Sequence, residues 1–167
     1  RGSELDELYL QEFTANTLPK AMLNLEKQGC HNINLVNPTQ YLPQILVALE
    51  AALAEGLTIP IVYNSSGYDL PETIELLEGI VDIYLPDMRY SDDEMAAKYS
   101  DAKGYVKFNR ESIVEMHRQA GELVVDKDGI AKSGVIIRLL VMPDGISGTK
   151  DNLKFIRENI SADTYMS

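Results

Sequence analysis

Asp87 and Arg89 stand two residues apart at the end of an apolar run, Gly79-Ile80-Val81-Asp82-Ile83-Tyr84-Leu85-Pro86. On an extended backbone that spacing turns both side chains the same way. One offers a carboxylate acceptor, the other a planar fork of donors suited to a carboxylate or phosphate. Arg138 sits within the apolar segment 135–142, where an unpaired charge is costly, so it calls for a buried partner or a ligand. Two readings follow from the spacing. Asp87 and Arg138 can form a structural ion pair between neighbouring strands, or the charges can line a small-ligand site. Two further apolar runs also end in polar residues: Leu35-Val36 at Asn37, and Ile61-Val62-Tyr63 at Asn64-Ser65-Ser66-Gly67.

These tips need strands behind them, and the hydrophobic rhythm supplies strands. Segments 32–36, 59–63, 80–85 and 135–142 are short, rich in β-branched residues and punctuated by Gly, Pro or Asn, as buried strands are. Between them lie helical patterns. One runs from a Thr17 cap through Pro19 with Leu18, Ala21, Met22 and Leu25 on one face, and stops at Gly29. Others cover 42–55, 71–77, 92–99 behind a Ser91 cap, 109–119 with Ile113, Val114 and Met116 apolar, and 152–158. Asp126-Lys127-Asp128-Gly129 between two apolar pairs signals a hairpin near 122–134, expected outside the main sheet. Residues 164–166 resemble the start of another strand. Residues 1–14 are acidic and weakly patterned, and are expected to form an arm ahead of a single 15–167 domain. Helix alternating with strand predicts an α/β fold with a parallel sheet. At the carboxyl ends of parallel strands ligands bind, so the polar tips form one expected rim around one cavity.

Composition narrows the chemistry. In 167 residues a core is feasible. The net charge of -11 argues against a nucleic-acid partner. No apolar run reaches the ~20 residues of a spanning helix, and a cytoplasmic setting is expected. The single cysteine, Cys30, excludes an internal disulfide and any multi-cysteine metal site on these residues. His31 and His117 lie on different elements with no carboxylate at ligand spacing. Met88, Met95 and Met116 read as core filler. No phosphate loop, dinucleotide fingerprint, nucleophile elbow or paired-histidine metal motif is present. No side chain is therefore assigned a catalytic role, and no metal ligand is assigned.

Three blocks carry a family resemblance: residues 29–39 (Gly-Cys-His-Asn-Ile-Asn-Leu-Val-Asn-Pro-Thr), 60–68 (Pro-Ile-Val-Tyr-Asn-Ser-Ser-Gly-Tyr) and 81–90 (Val-Asp-Ile-Tyr-Leu-Pro-Asp-Met-Arg-Tyr). In this order and at these intervals they resemble radical S-adenosylmethionine proteins of the pyruvate formate-lyase activating enzyme-like branch. The resemblance implies a partial (βα) TIM-like barrel, here truncated at its first strand. It also implies roles for individual residues. Leu35, Val36 and Asn37 fall where relatives carry a Gly-Gly-Glu-Pro motif that holds the cofactor's amino group, with Asn37 in place of the acid. Asn64 and Ser65 match the strand tip near the cofactor's ribose or carboxylate, and Asp87 an acid of the same cluster. Arg89 takes the place of a lysine near the cofactor carboxylate. Arg138 and Leu140 match the strand passing its adenine and ribose; Leu139 departs from the histidine usual there.

The larger departure concerns the [4Fe-4S] cluster. The family's reaction, cleavage of S-adenosylmethionine to a 5'-deoxyadenosyl radical, needs a Cys-x3-Cys-x2-Cys loop, and Cys30 matches none of its positions. The loop would precede Arg1 in a longer parent, so this chain alone is expected to be inactive and to hold neither cofactor tightly. In the parent a protein or peptide substrate, attacked at a glycine, is implied. The alternative is a diverged, non-catalytic α/β module that binds a nucleotide-like ligand or a partner protein. A missing first strand would expose a sheet edge, through which dimerisation is expected.

Overall fold

A computed structural model describes residues 17–167; the expected arm at 1–14 lies outside the described residues. The chain divides into two compact units. In one, helix α1 (Leu18–Lys27) packs on helix α2 (Leu42–Ala54). Pro19 sits in the first turn of α1, where its missing N–H costs nothing, and the Thr17 carbonyl accepts from Ala21 N at 3.1 Å. Met22, Ile45, Leu49 and Ala52 are buried. Leu25 and Leu53, expected on the same stripes, are exposed; each falls in or next to the last turn of its helix.

The other unit is the α/β sheet. Strands β1 (Ile33–Val36), β2 (Ile61–Ser65), β3 (Ile83–Met88) and β5 (Ala131–Leu139) lie side by side in that order, each parallel to the next. The short β6 (Tyr165–Met166) pairs parallel with β5, and the two-residue β4 (Val124–Val125) pairs antiparallel with it. The strand expected at 164–166 is therefore present. The hairpin differs from expectation. Its return limb is the beginning of β5 itself, which runs from Ala131 into the main sheet without interruption. Asp126 makes the turn possible by accepting from the amides of Asp128 and Ile130.

Register assigns each side chain to a face. Tyr63 pairs with Tyr84, and Tyr84 with Val135, so with period two Met88 and Ile137 share their side. All five are wholly buried. Tyr63 and Tyr84 meet edge to face at 6.0 Å, and burial pushes both phenols up. Helix α5 (Tyr105–Ala120) covers this side, as the hydrogen bond from Tyr84 to Gln119 shows. The opposite face carries Val36, Asn64, Asp87 and Arg138, by the pairings Val36–Asn64 and Asp87–Arg138. There Val36 is 64% exposed.

Three further helices complete this unit: α3 (Pro71–Glu75), α4 (Asp93–Ser100) and α6 (Thr149–Asn159). The cap of α4 is Asp92, whose side chain accepts from Met95 N at 2.9 Å, rather than Ser91. A carboxylate at that position also meets the positive end of the helix. Helix α5 begins at Tyr105, four positions earlier than its apolar pattern indicates. Its preceding residue is Gly104 in a left-handed conformation, with no side chain to announce a cap. Val114, expected on its core face, is exposed, while Ser112 lies wholly buried there instead.

Candidate functional site

Three adjacent strands each deliver one polar side chain to a single cluster. Arg138 Nη2 on β5 lies 2.6 Å from Asp87 Oδ1 on β3 and 2.8 Å from Asn64 Oδ1 on β2. From just beyond β3, Arg89 returns to the other carboxylate oxygen, with Nη2 and Nε at 2.6 and 3.0 Å from Asp87 Oδ2. Asp87 is thus held between two guanidinium groups. Its own side chain is 6% exposed, against 36% and 37% for Arg89 and Arg138. A buried carboxylate needs such compensation. The ion pair between Asp87 and Arg138 is present, and Asn64 and Arg89 join it.

The cluster has capacity left. Arg138 Nε is buried with no hydrogen-bond partner among the described residues. Two arginines against one aspartate leave one positive charge, in a chain whose net charge is -11. The arrangement can therefore accept an anionic or hydrogen-bond-accepting group from the open side of the sheet. A cavity of about 130 Å³ adjoins it, lined by Arg89, Ser66, Tyr68, Tyr90, Ser100, Ala102 and Tyr105. Of the expected rim, Arg89 and Ser66 line that cavity.

The remaining sequence candidates separate. Ser65, on the helix-covered face, accepts from Gly67 N at 3.0 Å and serves the turn. Leu35 shares that face by register with Tyr63. Val36 lies on the open face but at the sheet's edge, one strand from Arg138's neighbours. Asn37 is exposed, with φ of 47°, a left-handed conformation that asparagine tolerates. Its backbone amide donates to Asn64 O at 2.8 Å. Leu140 follows β5, is 40% exposed, and donates its amide to Met88 O.

Sequence reasoning missed the support behind the rim. Tyr105, Asn109 and Ser112 of α5 are all buried. Asn109 Nδ2 donates to Gly67 O and Asp87 O at 3.0 and 2.9 Å, and Ser112 Oγ donates to Asp69 O at 2.6 Å. The Tyr105 hydroxyl accepts from Arg89 N at 3.0 Å and faces the carbonyls of Ser66 and Asp87. Burial pushes the Tyr105 phenol up, so it remains a neutral donor. The available signal was the spacing 105, 109, 112, 116, which continues the stripe of Met116 with polar residues. His117 meets Glu122 at 3.0 Å across the helix end.

A cluster of three or more His, Cys, Asp or Glu able to hold a metal ion is absent among the described residues. Cys30 is half-buried and free. No helix among the described residues is long and apolar enough to cross a membrane.

With known proteins the likeness is narrow. The chain is 30% identical over 148 residues to an uncharacterized protein of Methanocaldococcus jannaschii, MJ0674, and covers 39% of that protein's length. No family model matches the chain. No solved structure is significantly similar to it.

Proposed function

We propose that the chain is part of a radical S-adenosylmethionine protein of the pyruvate formate-lyase activating enzyme-like branch, and that the Asn64–Asp87–Arg138–Arg89 cluster receives S-adenosylmethionine. The observation that carries this reading is the meeting of three parallel strand tips on one face of the sheet, with Arg138 Nε left without a hydrogen-bond partner among the described residues. The strand order supports the finer fold. A doubly wound sheet reverses its order at a switch point, whereas here β1, β2, β3 and β5 follow chain order, as in a (βα) barrel wall.

The residues present fit the cofactor in kind. Arg89 and Arg138 are donors for its carboxylate, and Asn64 offers an amide to its ribose. Leu140 is exposed apolar surface for its adenine side, and Val36, exposed on β1, lies where the resemblance puts its amino group. When bound, S-adenosylmethionine supplies a sulfonium whose carbon–sulfur bond can be broken reductively. The [4Fe-4S] cluster does not fit this chain, which has one cysteine where three are needed, and no step is assigned to it here. Binding of the nucleoside by these residues alone is weak on this reading. A peptide glycine as substrate, a cytoplasmic setting and self-association through the β1 edge belong to the same reading.

A second reading has its own support. Asp87 and the Asn64 amide oxygen are already satisfied by the two arginines, as in a non-catalytic module whose ion pairs serve the sheet. The coding sequence upstream of Arg1 separates the two. A Cys-x3-Cys-x2-Cys loop there is the expected finding; a native start codon without such a loop would contradict the enzyme reading.

A further inference from the structure

At Asp87 strand β3 is still paired with β5, but its pairing with β2 has ended. The last β2–β3 pair is Ser65 with Pro86, so the Asp87 backbone has no β2 partner. On the β5 side Met88 O is taken by Leu140 N. By alternation the Asp87 carbonyl points the other way, toward a gap in the ladder. A buried carbonyl left there would be costly. Asn109 Nδ2 fills the gap at 2.9 Å and, with its second hydrogen, holds Gly67 O at 3.0 Å. Arg89 is the first residue off the strand, and its amide finds the Tyr105 hydroxyl at 3.0 Å. Both side chains come from one helix and bridge two strand tips.

Gly67 shows how closely the parts are fitted. With φ of 72°, any Cβ at this position would overlap the Asp87 carbonyl and the Asn109 amide. The Tyr105 ring is itself fixed, 5.5 Å from the Tyr90 ring and 5.7 Å from that of Tyr68. The Arg89 backbone is thereby anchored, and its side chain arrives at Asp87 Oδ2 from a fixed origin.

We propose that Tyr105 and Asn109 are positioning residues that set the Arg89 guanidinium against Asp87, substituting for the sheet ladder where it ends. The importance of that geometry for S-adenosylmethionine rests on the reading above; the positioning itself does not. Ser112, one turn further along the same stripe, holds Asp69 O and makes no hydrogen bond to Arg89 or Asp87 among the described residues, so it serves as a control of equal burial.

The test reads hydrogen exchange at the arginine Nε–H by nitrogen-15 NMR on the full chain without ligand, with the Arg89 signal assigned by its loss in Arg89→Lys. Bonded to Asp87, this proton exchanges slowly in the wild type. Tyr105→Phe, which keeps the ring, and Asn109→Ser are each expected to accelerate its exchange about tenfold or more. Ser112→Ala is expected to lower the melting temperature and leave the Arg89 rate unchanged. Should Tyr105→Phe fail to fold, Asn109→Ser carries the same comparison. Unchanged Arg89 exchange in a folded Asn109→Ser, or equal acceleration in Ser112→Ala, would overturn the proposal. A wild type with a protected Arg89 signal and no response to S-adenosylmethionine would remove the ligand reading alone.

Discussion

Asp87 carries a charge at 4% exposure, and everything around it answers that fact. Its two carboxylate oxygens are divided between Arg138 and Arg89. Deleting the carboxylate leaves two guanidinium groups facing each other; deleting Arg89 leaves Asp87 still paired with Arg138. The costs are therefore unequal. Asp87→Ala is expected to lower unfolding free energy by about 2 kcal/mol, less than a fully buried pair would lose because both arginines are about one-third exposed. Arg89→Ala is expected to cost under about 1 kcal/mol. Urea unfolding of both variants checks the order; an Arg89→Ala loss equal to that of Asp87→Ala would contradict it. The partnership was legible in the sequence because a lone arginine in an apolar strand demands an acid. That Asn64 would join them was legible only as a polar tip, since nothing in the letters sets strand register. Ser65 misled for a related reason. A hydroxyl next to a turn glycine looks like a ligand group, and its oxygen instead caps the Gly67 amide.

At the scale of elements, the β2 tip and the start of α5 must pass within contact of each other, and Gly67 is the residue that allows it. Gly145 has nearly the same φ, 71°, with nothing within 4 Å of where a Cβ would stand. Alanine at either glycine bears the left-handed strain of roughly 1–2 kcal/mol; at Gly67 it also collides with Asp87 and Asn109. Gly67→Ala is thus expected to destabilise by at least ~2 kcal/mol more than Gly145→Ala. Equal melting temperatures for the two would contradict the close fit. The elements themselves were largely readable from apolar rhythm, while their ends were not. The apolar pattern of helix α5 starts four residues late because Gly104 gives no capping signal, which hides Tyr105 at the helix's first position and makes Asn109 look like a terminus. The strand β2 runs two residues past its apolar run, since Asn64 and Ser65 find partners that keep them in the ladder.

At the scale of the whole chain, the alternation of helix and strand predicted a parallel sheet, and the sheet is parallel in β1, β2, β3, β5 and β6. Its two faces follow from register. One is filled by Tyr63, Tyr84, Met88, Val135 and Ile137; the other presents the charged cluster. Local pattern could not separate the hairpin from the sheet, because the nine residues of β5 serve both. S-adenosylmethionine is proposed to bind at Arg138 and Arg89. Titrating the wild-type chain with S-adenosylmethionine while observing the arginine Nε–H signals tests it most directly. The Arg138 and Arg89 signals are predicted to shift together and to saturate at millimolar ligand, with Arg118, on the outer surface beside Glu78 and Glu115, unmoved. No shift at either rim arginine, or shifts confined to Arg118, would contradict the claim.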